Sequence, residues 1–463
     1  VHLTLHLFPA KLIAVKKSFI KRSRFNLKEI MRWFRPGLGI KRWFLVVLFG
    51  ITLVAVGMGV FLLDLYHNES ANPFLIVFLR YTSLFFLPRT LRALIFGIIG
   101  AGIIVFGIWE LNRSLLSPFL RPGQTVVDQL TDFRRRERGP RVVAIGGGHG
   151  LSTLLRGLKE HTRNITAVVT VADDGGSSGR IRESYGFLPP GDIRNCLAAL
   201  SNDEALMTQL FQYRFSGSSG LDGHSFGNLF ITALSEITGS FEEAIAESGR
   251  VLSVSGRVLP STLHNVRLVA DVRLPHLVNE VRVEGESKIP AAAGRVKRVW
   301  LEPNNPPAFP PVLQALLNAD LIVVGPGSLY TSLLPNLLVP DIMAAMRVSR
   351  ALKIYVCNIA TQSGETDLFS CNDHVRALEE HVGGALFDIV LCNDNFTGNI
   401  SGSQWRGSQW VCIDDKTLSD KRIYFADLRN DEKTWRHDTA KLSQVMMDLL
   451  LKRTGRSERE APS

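Results

Sequence analysis

Three short stretches carry residues able to hold the polar groups of a ligand. The first, Gly146, Gly147, Gly148, His149 and Gly150, follows the apolar run "RVVAI" and precedes "LSTLLRGL". Glycines accept positive φ and let a ligand reach their amides, and the start of the following helix favours phosphate oxygens. A structural tight turn is the other reading of the same residues. The stretch is not the dinucleotide fingerprint, which needs glycine where Leu151 stands, nor a P-loop, which needs Gly-Lys-Ser/Thr.

The second stretch, "AVVTVADDGGSSGR", places Asp173 and Asp174 at the carboxyl end of an apolar strand, where open α/β sheets bind ligands. One carboxylate can accept sugar hydroxyls, or the pair can hold Mg²⁺ beside a phosphate. Ser177, Ser178 and Arg180 would then supply phosphate donors. A solvated turn closed by an Asx hydrogen bond is the alternative. The third stretch, "LIVVGPGSLYTSLL", ends a strand on Gly325, Pro326, Gly327 and Ser328. A helix then begins near Leu329, with Thr331 and Ser332 in its first turn, presenting free amides and hydroxyls to an anion or making an ordinary capped turn.

Other polar positions are less specific. Asp192 in "LPPGDIRNCLAAL" reads as a helix N-cap, with Arg194 and Asn195 as ligand-facing candidates. In "GHSFGNLF", His224, Ser225 and Asn228 precede an apolar helix, and a histidine so placed is more often a structural hydrogen-bonder. Asn358, Thr361, Gln362 and Glu365 follow another strand. No H-E-x-x-H metal motif or Ser-His-Asp spacing is present. The five cysteines have no C-x-x-C spacing and read as buried reduced thiols.

These loops need a sheet to aim them. "RVVAIGGGHGLSTLLRGL" followed by "ITAVVTVADD" reads as strand, turn, helix, strand, with Leu151, Leu154, Leu155 and Leu158 at helical spacing. Such a βαβ unit implies a right-handed crossover in a parallel sheet. Further strands are predicted at 321–327, 353–359 and 387–394, their continuous apolar runs suiting strands covered on both faces. Alternating residues predict a small antiparallel insertion over 262–302. The fold class is therefore α/β, a Rossmann-like, mostly parallel sheet with a small β insertion.

Charge divides the chain. The first 141 residues hold 21 Lys and Arg against 7 Asp and Glu, whereas the rest holds 32 against 36. That balance argues against nucleic-acid binding by the larger part. Residues 43–63 carry no charge and are long enough for a transmembrane helix; 93–109 read as a second span, and the Arg-interrupted 74–92 as an interfacial segment. Flanking cations predict that both termini and the main domain face the cytoplasm. The predicted organisation is a basic segment 1–42, a membrane anchor 43–111, a basic linker 112–140, an α/β domain 141–451 and a disordered tail 452–463. Met31 opens a plausible start of its own, so residues 1–30 are expected to be an over-extended start.

In this order, "GGGHGLSTLLRGL", "TAVVTVADDGGSSGR", "PPGDIRNCLAAL", "GHSFGNL", "GPGSLYTSLLPNLLVP" and "VCNIATQSGETD" closely resemble the gluconeogenesis factor family, whose fold is that of 2-phospho-L-lactate transferase. The matching segments cover nearly all of 141–395, and the two-span extension looks like the family's membrane-anchored branch. The resemblance implies a nucleotide-linked ligand, a UDP-sugar such as UDP-N-acetylglucosamine. It also implies a regulatory role linking carbon metabolism to cell-wall synthesis and cell shape, with no cofactor required. Transferase relatives instead join a phospholactyl group to a deazaflavin with Mg²⁺, which Asp173 and Asp174 would hold. By motif position, Gly147, Gly148 and His149 line the phosphate site and Asp173 and Asp174 the sugar or metal edge. Gly327, Ser328, Tyr330 and Thr331 close the pocket, with Ser177, Ser178, Arg194, Asn195, His224 and Asn228 as further ligand contacts. A homo-oligomer with protein partners at the membrane bilayer is expected.

Overall fold

The computed structural model describes residues 139–454, apart from 203–205, 218–219, 399–407, 416 and 418–419, together with scattered single positions before them. The predicted spans 43–63 and 93–109, the interfacial segment 74–92 and the tail from 455 lie outside the described residues, those scattered positions aside. Among the described residues no single helix is long and apolar enough to cross a membrane. The chain divides into two units, Val1–Phe133 and Arg134–Ser463, and both sheets belong to the second.

Ten strands form these sheets: β1 (Val142–Gly146), β2 (Ile165–Val169), β3 (Arg257–Pro260), β4 (Arg267–Arg273), β5 (Glu280–Glu284), β6 (Arg295–Glu302), β7 (Leu321–Val324), β8 (Leu352–Val356), β9 (Ile389–Asn393) and β10 (Ile423–Ala426). The larger sheet runs β10-β9-β8-β7-β1-β2-β3, and every pairing in it is parallel. Parallel strands joined by helical crossovers are covered on both faces. The runs "VVAIG", "ITAVV" and "LIVV" are accordingly buried along their whole length. The smaller sheet, β5-β4-β6, is antiparallel and forms the predicted insertion.

Strand order fixes where a ligand can sit. From β1 the chain moves outward through β2 to β3, then returns to β7 on the other side of β1 and moves outward through β8 and β9 to β10. The β1 and β7 loops therefore diverge at a topological switch point, which leaves a crevice at the carboxyl edge. Those are the loops "GGHG" and "GPGS".

Helix α1 (Gly148–Leu158) covers this edge, with Leu151, Leu154, Leu155 and Leu158 fully buried. At ~1.5–3 kcal/mol for each buried leucine, this face is a main anchor of the first crossover. Four further helices frame the site: α2 (Gly176–Tyr185), α3 (Gly191–Leu200), α4 (Phe226–Thr238) and α5 (Cys371–Val382). Gly157 permits close approach of the final helix, α6 (Thr439–Thr454), because a Cβ there would collide with the Thr439 carbonyl. That helix runs past the predicted boundary at 451.

Several local expectations are corrected. Strand β2 stops at Val169, so Asp173 and Asp174 sit in an extended segment beyond it and not at its last residues. The N-cap of α3 is Pro190, and Asp192 lies inside the first turn without capping it. The chain after Ser328 forms a π-helical turn, Leu329–Leu333, before the short helix Leu334–Leu337. Cys371 and Cys392 are joined in a disulfide, which corrects the expectation of reduced thiols throughout. Sequence spacing is silent here because Cys371 opens α5 and Cys392 lies in β9, 21 residues later, and only the tertiary fold brings the two together.

Candidate functional site

A crevice of about 740 Å³ opens at the switch point. The glycine loop forms one side: Gly147 is extended, Gly148 turns into the left-handed region at φ +63°, and the helix starts there. Only glycine fits at position 150, where a Cβ would run into the Pro326 carbonyl of the β7 loop. The two loops therefore touch backbone to backbone. Opposite, Asn358 clamps the β7 loop, its Oδ1 accepting from the Gly327 amide at 3.2 Å and its Nδ2 donating to the Gly327 carbonyl at 2.8 Å.

A buried carboxylate organises the β7 side. Glu365 Oε1 accepts from Thr331 Oγ1 at 2.9 Å and from Gln362 Nε2 at 2.8 Å, while Oε2 accepts from the Tyr330 amide at 3.3 Å. Gln362 in turn accepts from Ser328 Oγ at 2.7 Å. Burial pushes Glu365 up to about 7 despite these donors. The network fixes the hydroxyls of Ser328 and Thr331, both of which line the crevice.

Three acids line the other side: Asp173, Asp192 and Glu286. Asp173 is held by the Gly175 amide at 2.8 Å and by the Ser178 hydroxyl, and burial still raises it. Asp192 accepts from the Gly148 amide, and burial together with the charge of Asp173 takes it up to about 7. Glu286, from the insertion, rises to about 8 through burial and then the charges of Asp173 and Asp192. His149 is lowered, first by burial and then by Arg436, so it is a neutral imidazole at pH 7. Trp435, Arg436 and His437 complete the rim ahead of α6.

Of the predicted site residues, Gly147, Gly148, His149, Asp173, Gly327, Ser328 and Thr331 line the crevice. Asp174 does not: its Oδ1 accepts from the Ser287 amide at 2.9 Å, tying the β2 segment to the insertion loop that carries Glu286. Ser177, Ser178, Arg194, Asn195, His224 and Asn228 form a layer behind Asp173. There Ser177 Oγ meets His224 Nδ1 at 3.1 Å, Asn228 Nδ2 donates to Ser177 Oγ at 3.1 Å, and Arg194 binds Ser225 and Asn195. Tyr330 points into the core, edge-on to Phe369 and His381. Sequence reasoning missed Glu286 and the segment Trp435–His437. The first sits behind an unremarkable hairpin, and "TWRH" carries no spacing that sets it apart.

Mg²⁺ is usually held by one or two carboxylates plus phosphate oxygens. Asp173 and Asp192 fit that use, both facing the crevice beside the glycine loop, whereas Asp174 is engaged with Ser287.

The model of the family "2-phospho-L-lactate transferase CofD" matches residues 142–428. A relative from Nostoc sp. that carries the gluconeogenesis factor name is 43% identical over 457 residues, covering 94% of this chain and 95% of its own. The gluconeogenesis factor of Bacillus subtilis is 43% identical over 316 residues, covering 67% of this chain and 98% of its own. A crystal structure of a upf0052 family protein from Bacillus halodurans aligns with a TM-score of 0.63 at 41% identity, over 67% of this chain and 99% of that one.

Proposed function

The chain belongs to the 2-phospho-L-lactate transferase CofD family, among its gluconeogenesis factors, and on that premise we propose that the crevice binds a UDP-sugar such as UDP-N-acetylglucosamine. One observation carries this reading: the glycine loop and the Gly327–Ser328 turn meet at the switch point, with Arg436 on the rim and Trp435 beside it. The helix-start amides of the glycine loop and the fixed hydroxyls of Ser328 and Thr331 suit phosphate oxygens, a guanidinium suits their charge, and an indole suits a base or sugar face. Asp173, whose carboxylate accepts hydrogen bonds when ionised, suits sugar hydroxyls.

The protein is a regulator in this reading. Ligand binding shifts the balance between two states, by as much as the ligand's affinity for them differs, and protein partners in carbon metabolism and cell-wall synthesis read the outcome. Two spans, 43–63 and 93–109, would tether it as a homo-oligomer to the inner face of the plasma membrane and link it to cell shape. The second reading is a Mg²⁺-dependent transferase of a phosphate-linked group, which the acids Asp173 and Asp192 beside the glycine loop favour. Calorimetry of the purified full chain with UDP-N-acetylglucosamine, GDP and a deazaflavin, with and without Mg²⁺, separates the two. Tight UDP-sugar binding without turnover is the expected result; product formation on a deazaflavin acceptor would give the site to the transferase.

A further inference from the structure

The connection between β8 and α5 begins and ends on cysteine: Cys357 directly follows the strand and Cys371 opens the helix. Cys392 lies in β9, the parallel neighbour of β8. The ligand atoms of these three buried residues lie within 4.8 Å of one another. Cys371 and Cys392 are bonded, with Cα atoms 6.8 Å apart, and Cys357 is a free thiol.

We propose that the three sulfurs form a buried thiol–disulfide exchange site bracketing the connection that lines the crevice, where Cys371 changes partner between Cys392 and Cys357. Formation is a two-electron oxidation by hydrogen peroxide: the sulfur–sulfur bond forms, the peroxide O–O bond breaks, and the two thiol protons leave in two water molecules. Exchange needs no further oxidant. The Cys357 thiolate attacks Cys371 Sγ, and Cys392 leaves as a thiolate and takes up the proton that Cys357 released.

The consequence falls on the crevice, because the bracketed connection carries Asn358, Gln362 and Ser363 of its lining. With Cys371 bonded to Cys392, the far end of the connection is fixed to the sheet. With Cys371 bonded to Cys357, the connection is closed on itself, a different restraint on the same residues. Cys357 is also coupled to the rim, since its carbonyl accepts from His437 Nε2 at 3.2 Å. A thiolate-bound metal would instead require all three sulfurs as thiolates, whereas two of them are joined in the disulfide. Burial holds the Cys357 thiol up to about 12, so exchange is slow at neutral pH and accelerates with alkalinity.

The test is peptide mapping of the purified full chain after hydrogen peroxide, with free thiols blocked by iodoacetamide in denaturant. Wild type should show the Cys371–Cys392 link, with Cys196, Cys357 and Cys412 alkylated. Cys392→Ser should move the link to Cys357–Cys371, Cys371→Ser should move it to Cys357–Cys392, and Cys412→Ser should change nothing. Wild type incubated at rising pH supplies the same test without a substitution: a Cys357-linked species should grow in. All five cysteines remaining alkylatable after peroxide, no migration in either variant or with pH, or retention of stoichiometric zinc by the wild type would each overturn the proposal.

Discussion

The Gly148 amide donates a hydrogen bond to the Asp192 carboxylate, so an N–H that faces the ligand crevice is already satisfied by an acid of the same chain. A phosphate binding to the glycine loop must share or displace that carboxylate. An anion beside Asp192 raises its proton affinity further, so binding takes up a proton wherever Asp192 is ionised. Affinity for UDP-N-acetylglucosamine should therefore fall as pH rises through about 7 and on towards about 8, where Glu286 titrates. The limit is about tenfold per pH unit for each proton coupled. Calorimetry in buffers of different protonation enthalpy measures the uptake directly, and Asp192→Asn should flatten the profile. A wild-type affinity independent of pH would show that the ligand does not approach this acid.

The same acids affect folding. Glu286 ordinarily titrates at 4.5 but at about 8 in the fold, so between those values the native state binds more protons than the unfolded chain. Stability is then full below pH 4.5, declines as pH rises through this window, and levels off above it. Glu286→Gln removes this decline and should stabilise the protein at pH 8 by ~1–3 kcal/mol, a discounted figure because the side chain is only partly buried. Urea unfolding at several pH values checks this; a variant as pH-dependent as the wild type contradicts it.

Short-range pattern sets how much of this fold and site is readable in the chain. Val142–Gly146, Gly148–Leu158 and Ile165–Val169 are continuous in sequence, and their apolar periodicity announces them. Strands β3 and β10 span four residues each and, unlike the equally short β7, neither runs into a Gly-Pro-Gly turn that marks its end, so they escape a reading by pattern. In the site, the glycine loop and the β7 turn are legible because glycine and proline at a strand end have few other uses. Asp174 is not, because adjacent acids look equivalent in sequence, whereas the backbone sends Asp173 to the crevice and Asp174 to Ser287. Glu286 and Arg436 reach the site from far along the chain, and only the tertiary fold delivers them.

Asp174 should consequently act through the insertion. Asp174→Ala deletes the acceptor of the Ser287 amide and frees the loop that presents Glu286, with an expected loss of ~1 kcal/mol of stability. Asp174→Asn keeps an acceptor oxygen and should lie near the wild type. Equal effects of the two substitutions in denaturant titrations would show that charge, and not this hydrogen bond, is what Asp174 supplies.

Arg436 is exposed on the rim, and its charge reaches His149 in the glycine loop. A guanidinium bonded to a phosphate contributes ~1.5–3 kcal/mol, so Arg436→Ala should weaken UDP-sugar binding by about 10- to 100-fold. Lysine restores charge without the planar fork and should recover only part of the loss. Because the side chain is exposed, the melting temperature should barely move. Unchanged affinity would place the phosphates away from this rim.

Glu365 receives hydrogen bonds on both oxygens, from Thr331 and Gln362 on one and from the Tyr330 amide on the other. Glu365→Gln replaces one acceptor with an NH₂ that has nothing to donate to. The amide oxygen should turn to the side with two donors and leave the Tyr330 N–H facing another donor. A buried donor stripped of its partner costs about 1–3 kcal/mol. Relief from ionisation acts the other way: Glu365 is raised from 4.5 to about 7, so the wild type loses stability across that window as pH rises and the variant does not. Glu365→Gln should thus be clearly destabilised at acidic pH and approach the wild type above pH 7, a crossover trend readable from thermal melts at a series of pH values. A constant difference between the two at every pH would mean that Glu365 stays in one protonation state throughout.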